Sequence, residues 1–140
     1  MNVPADTVPA GASPTDVRRL VGVYNADGTL RGELAYVVGK MLGRAHCGLC
    51  DITHGAVSEK AEWKACRIAL PVQFDTFHRN DQPDDARPLT DGRLPAVLAD
   101  TAAGFVYLLG PDELDACGKS PERLVDAVHA ALTRHALTLP

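Results

Sequence analysis

No apolar run in this 140-residue chain approaches the ~20 residues that a membrane-spanning helix needs; the longest is broken by glycine and charge. A membrane partner is therefore not expected. The first residues also lack the basic segment followed by an apolar stretch that marks a secretory signal, so a cytoplasmic protein is the expectation. Positive charge is not in excess either. The 14 Lys and Arg are outnumbered by 18 Asp and Glu, giving a formal net charge of −4, and the basic residues are scattered along the chain. Gripping a phosphate backbone needs them gathered on one face, which argues against nucleic acid as a partner. Neither G-x-x-x-x-G-K-[ST] nor G-x-G-x-x-G occurs, so no glycine-rich phosphate cradle is present.

What the chain does have is concentrated between His46 and Gly55. Cys47, Cys50, His46, His54 and Asp51 all fall in this stretch, so it holds two of the four cysteines. In a cytoplasmic setting thiols stay reduced, and a close pair then points to metal binding or catalysis before it points to a structural staple.

The order of elements can be read around that stretch. Residues 1–17, with Pro4, Pro9 and Pro14 among small residues, read as a flexible arm, and residues 18–140 read as one folded domain. Leu20–Tyr24 is a short apolar run entering the polar turn Asn25-Ala26-Asp27-Gly28, which predicts a buried strand. Leu30, Leu34, Val37, Val38, Met41 and Leu42 form a stripe at helical spacing, bounded by Thr29 and Gly43. After Gly55, Ser58 can cap a helix reaching Leu70, with Trp63, Cys66 and Leu70 on one face and Pro71 as its stop. Val72, Phe74 and Thr76 alternate in a second strand ending at His78, and residues 80–94 read as an exposed loop. Pro95–Ala99 and Phe105–Leu109 predict an antiparallel hairpin. Gly110-Pro111 opens a turn or short helix carrying Cys117. Ser120-Pro121-Glu122 starts a last helix with Leu124, Val128, Ala131 and Leu132 buried.

This is an α/β domain of about four strands, two parallel and two in a hairpin, flanked by helices. Over roughly residues 19–136 the order of elements resembles the thioredoxin fold, whose proline before the third strand would map onto Pro95. The chain departs from that pattern in one respect: a helix-length segment, residues 30–42, stands between the first strand and the cysteine pair. The strings Tyr24-Asn25-Ala26-Asp27, Cys47-x-Leu49-Cys50-x-Ile52-Thr53, Glu62-Trp63-Lys64 and Phe77-His78-Arg79 also look like a group of small bacterial proteins without an assigned activity.

Three kinds of function fit these residues. In the first, Cys47 and Cys50 form a redox pair that exchanges with a protein or small-molecule thiol or disulfide, without a cofactor. Arg44, His46 and the start of a nearby helix would favour the thiolate, and Asp51 would oppose it. In the second, Cys47-x2-Cys50-x3-His54 binds zinc or copper, with His78 or Cys117 as a fourth ligand. No second close cysteine pair completes a closed zinc site, and no histidine directly follows Cys50, which excludes covalent haem attachment. In the third, the domain is an adaptor that binds a partner without chemistry. Cys66 reads as a core residue, and His129 and His135 read as solvated.

Overall fold

A computed structural model describes residues 13–25, 48–53 and 60–140 of the chain. The helical stripe expected at residues 30–42 and the cap expected at Ser58 lie outside them.

Among the described residues the first element is strand β1 (Val17–Val23), followed by a short helix α1 (Gly48–Thr53) and helix α2 (Ala61–Ala69). Strand β2 (Gln73–Phe77) leads into a 3-10 turn (Asp84–Ala86) and the one-turn helix α3 (Arg87–Thr90). The hairpin of β3 (Ala96–Thr101) and β4 (Gly104–Leu109) precedes α4 (Pro111–Ala116) and α5 (Pro121–Arg134). The strands form one mixed sheet in the order β2-β1-β3-β4. β1 pairs parallel with β2 and antiparallel with β3, and β3 pairs antiparallel with β4.

Strand alternation divides the apolar residues between the two faces of this sheet. Leu20 of β1, in register with Phe74 and Ala99, points to the face covered by helices α1, α2, α4 and α5. On that face Trp63 stands edge-on to Phe74, with ring centroids 4.8 Å apart at 84°. Val21 and Val23 point the other way, with Leu98, onto Ala86, Leu94, Phe105 and Tyr107. Each fully buried Leu, Val or Phe contributes about 1.5–3 kcal/mol relative to exposure, so the larger, helix-covered face holds most of the apolar stabilisation.

The last helix forms as its residues dictate. Ser120 Oγ accepts from the Arg123 N–H at 3.3 Å, Pro121 occupies the first turn, and Leu124, Val128, Ala131 and Leu132 are buried. Such a cap is worth about 1 kcal/mol. Strand β1 begins earlier than the apolar run Leu20–Tyr24 suggests. The Val17 N–H donates to Thr138 O at 2.8 Å, so the C-terminal segment extends the pairing to a point that local sequence does not reveal.

Most of residues 80–94 are exposed, as expected, but the segment holds two short helical turns in place of a loop throughout. It folds into a compact cap in which Gln82, Ala86 and Thr90 are buried. Thr90 Oγ1 donates to Gln82 Oε1 at 2.6 Å, and Gln82 Nε2 donates to the Arg79 carbonyl at 2.9 Å. Those inward residues are too widely spaced, among Asp, Pro and Arg, to produce a periodic pattern. The segment ends at a cis Leu94–Pro95 peptide, directly before β3.

Candidate functional site

Parallel pairing of β1 with β2 places their C-terminal ends together, and the antiparallel β3 starts at the same end. Val23 lies in register with both Phe77 and Ala96. The residues just beyond those positions are therefore neighbours in the sheet: Tyr24 after β1, His78 after β2 and Pro95 before β3. Binding residues collect at the carboxyl ends of parallel strands in α/β sheets, which directs attention here.

Helix α1 is tied to this end. Thr53 Oγ1 and the Tyr24 hydroxyl lie 2.9 Å apart, and Thr53 Oγ1 donates to the Leu49 carbonyl at 3.1 Å. A threonine hydroxyl has one hydrogen, so the Tyr24 hydroxyl is the donor of the pair. Cys50 lies on the turn between Leu49 and Thr53, 9% exposed, and is disulfide-bonded. Cys47, His46, His54 and Arg44 lie outside the described residues.

The sequence treats the Cys47–His54 stretch as a segment between helices, whereas residues 48–53 are themselves helical. Two glycines permit the close packing around it. A Cβ on Gly22 would stand 2.9 Å from Phe74 Cε1 and 3.1 Å from Leu49 Cδ2, so glycine there lets β1 lie close to α1 without displacing either side chain. A Cβ on Gly48 would come within 3.3 Å of the backbone of Leu114 and Asp115 on α4.

His78 closes β2 as expected and is half-buried. Asp81 grips it twice: Oδ1 accepts from the His78 backbone N–H at 2.6 Å, and Oδ2 lies 3.3 Å from Nδ1. A carboxylate only accepts, so Nδ1 carries the hydrogen and Nε2 is the nitrogen directed away from this clamp. The ring rests against Tyr24, with centroids 5.6 Å apart at 58°. Among the described residues no three His, Cys, Asp or Glu side chains stand close enough together to hold a metal ion.

The other two cysteines are free thiols. Cys117 caps α4, is 3% exposed and donates from Sγ to the Glu113 carbonyl at 3.4 Å. Burial raises its pKa, partly opposed by Arg123. Cys66 is half-buried against the core beside Trp63, and its pKa is raised by burial and then by Glu122 and Glu62. Both shifts disfavour the thiolate, so these are poor nucleophiles. His129 and His135 are exposed.

Tyr24, Thr53 and Asp81 carry no functional signal of their own in the sequence, although Tyr24 and Thr53 stand in the strings Tyr24-Asn25-Ala26-Asp27 and Cys47-x-Leu49-Cys50-x-Ile52-Thr53. A hydroxyl pair formed through space has no characteristic spacing. Asp81, three residues after His78 and in a turn-forming context, is the one of the three with a local signal, that of a turn.

No helix among the described residues is long and apolar enough to cross a membrane. In comparison with family models, curated proteins and solved structures, the chain matches none.

Proposed function

We propose that the chain is a thiol–disulfide oxidoreductase, or a redox-responsive protein, built on a thioredoxin-like scaffold with Cys47 and Cys50 as its redox pair. The observation that carries this reading is the state of the thiols: Cys50 is disulfide-bonded on α1, while Cys66 and Cys117 remain free and hard to ionise. The scaffold reading is supported by the sheet order β2-β1-β3-β4, with β1 and β2 parallel, and by Pro95 directly before β3, where the resemblance places a proline.

In the reaction, the Cys47 thiolate attacks one sulfur of a substrate disulfide. A mixed disulfide forms on Cys47, and the other substrate sulfur leaves as a thiolate with the electron pair. The Cys50 thiolate then attacks the Cys47 sulfur, forming the Cys47–Cys50 disulfide and releasing the second substrate thiolate. The substrate gains two electrons, the protein loses two, and a donor dithiol returns the pair to its reduced form.

Cys50→Ser removes the resolving thiol and should trap the mixed disulfide on Cys47, read as a covalent adduct by intact mass under non-reducing conditions. The expected yield is most of the protein after incubation with a model disulfide, against little adduct for Cys47→Ser. Equal adduct on both variants would contradict the assignment. His54→Ala should leave trapping unchanged, whereas in a metal centre that substitution would release bound zinc or copper.

A further inference from the structure

We propose that Tyr24 is the positioning residue of this thiol site, holding the helix that carries Cys50 to the end of the sheet through the Thr53 hydroxyl. The inference rests on the thiol–disulfide reading above and deepens it.

The restraint spans the turn that matters. Thr53 Oγ1 donates to Leu49 O and accepts from Tyr24, so one hydroxyl closes the turn on both sides of Cys50 and fastens it to the residue after β1. Tyr24 is 5% exposed and Thr53 fully buried, so water does not compete for these bonds. The tyrosine itself is fixed: its backbone N–H donates to the Phe77 carbonyl at 2.8 Å, and its ring rests on His78, which Asp81 clamps. The sheet end is thereby a rigid mount, and α1 is the part mounted on it.

The chemical consequence concerns ring closure. With the disulfide open, the Cys50 sulfur must find the Cys47 sulfur, and both the rate and the equilibrium of that step scale with their effective concentration. A tether on the Leu49–Thr53 turn restricts the open form to geometries near closure. In the closed form the disulfide already restrains the same turn, so loss of the tether penalises closure. Only the part of the tether's free energy that differs between the open and closed forms enters the closure constant, so one net buried hydrogen bond of about 1 kcal/mol sets a ceiling of roughly a five-fold fall. For a two-electron couple, a five-fold change is a shift of about 20 mV towards a more oxidising potential.

The test uses the full chain as wild type, Tyr24→Phe, Thr53→Val and Thr53→Ser. Each is equilibrated across glutathione redox buffers and acid-quenched, and the oxidised fraction is measured alongside thermal unfolding of the reduced protein. The expected result is closure about two- to five-fold weaker in Tyr24→Phe and Thr53→Val, with Thr53→Ser close to wild type because it keeps the hydroxyl. If Tyr24→Phe does not fold, the Val and Ser variants at Thr53 decide the matter. A wild-type closure constant in Tyr24→Phe or Thr53→Val, with only the unfolding temperature lowered, overturns the positioning role and leaves the redox reading standing. A wild type that forms no reversible disulfide overturns both.

Discussion

At Gly22 a single hydrogen in place of a methyl group lets β1 lie close to α1. The Gly22→Ala methyl group would press on the Phe74 ring at 2.9 Å and on Leu49 at 3.1 Å, in a region packed on all sides. We expect Gly22→Ala to lower stability by about 1–3 kcal/mol, measured by chemical denaturation. The two free thiols give a second residue-scale expectation. Raised pKa values leave Cys66 and Cys117 with less thiolate at neutral pH than an ordinary cysteine. Alkylation of the native protein at these positions should therefore be at least several-fold slower than for a free thiol near pH 7 and accelerate with rising pH, followed by peptide mass mapping. At this scale, residues whose neighbours are close in sequence are legible: the Ser120 cap and the inward Trp63 both stand where local pattern puts them. The Tyr24–Thr53 bond joins residues 29 positions apart, and nothing in either neighbourhood announces it.

Among elements, the pairing of β1 with β3 is reinforced by charge at its outer end. Asp100 of β3 accepts from Arg18 Nη2 and from Arg19 Nε, each at 2.9 Å, and Arg19 Nη1 also reaches Asp75 of β2 at 3.1 Å. Burial alone would raise the Asp100 pKa, but the hydrogen bonds and charges of the two arginines outweigh it and hold it below the ordinary carboxylate value. A depressed folded pKa contributes stability that is present above the unfolded value, about 3.9, and is lost as pH falls through the folded one. Asp100→Asn should thus cost about 1–2 kcal/mol at neutral pH, with the gap to wild type narrowing below about pH 4 in denaturation curves. The elements themselves are largely readable in order. The parallel pair, the hairpin and α5 each carry a local signal, short apolar runs or alternation in the strands and a helical stripe in α5. Helix α1 and the folded cap of residues 80–94 do not, because their ordering comes from tertiary contacts such as Leu49 beneath Gly22 and Ala86 beneath Val21.

For the molecule as a whole, the sheet order places one end of three strands beside α1, the helix that carries Cys50. The α/β class and the mixed sheet follow from the alternation and stripe patterns, because those patterns record which face of each element must leave water. In the sequence, the spacing and residue types of Cys47 and Cys50 suit both a disulfide and a metal, and the disulfide-bonded state of Cys50 supports the first. The most direct test of the account is therefore a count of thiols in denaturant, made on protein purified without chelator or metal affinity, before and after mild reduction, with zinc and copper measured on the same sample. Two thiols are expected before reduction, Cys66 and Cys117, and all four after it, with no stoichiometric metal. Four thiols in both states, or about one equivalent of zinc or copper that disappears in Cys47→Ser, would contradict it.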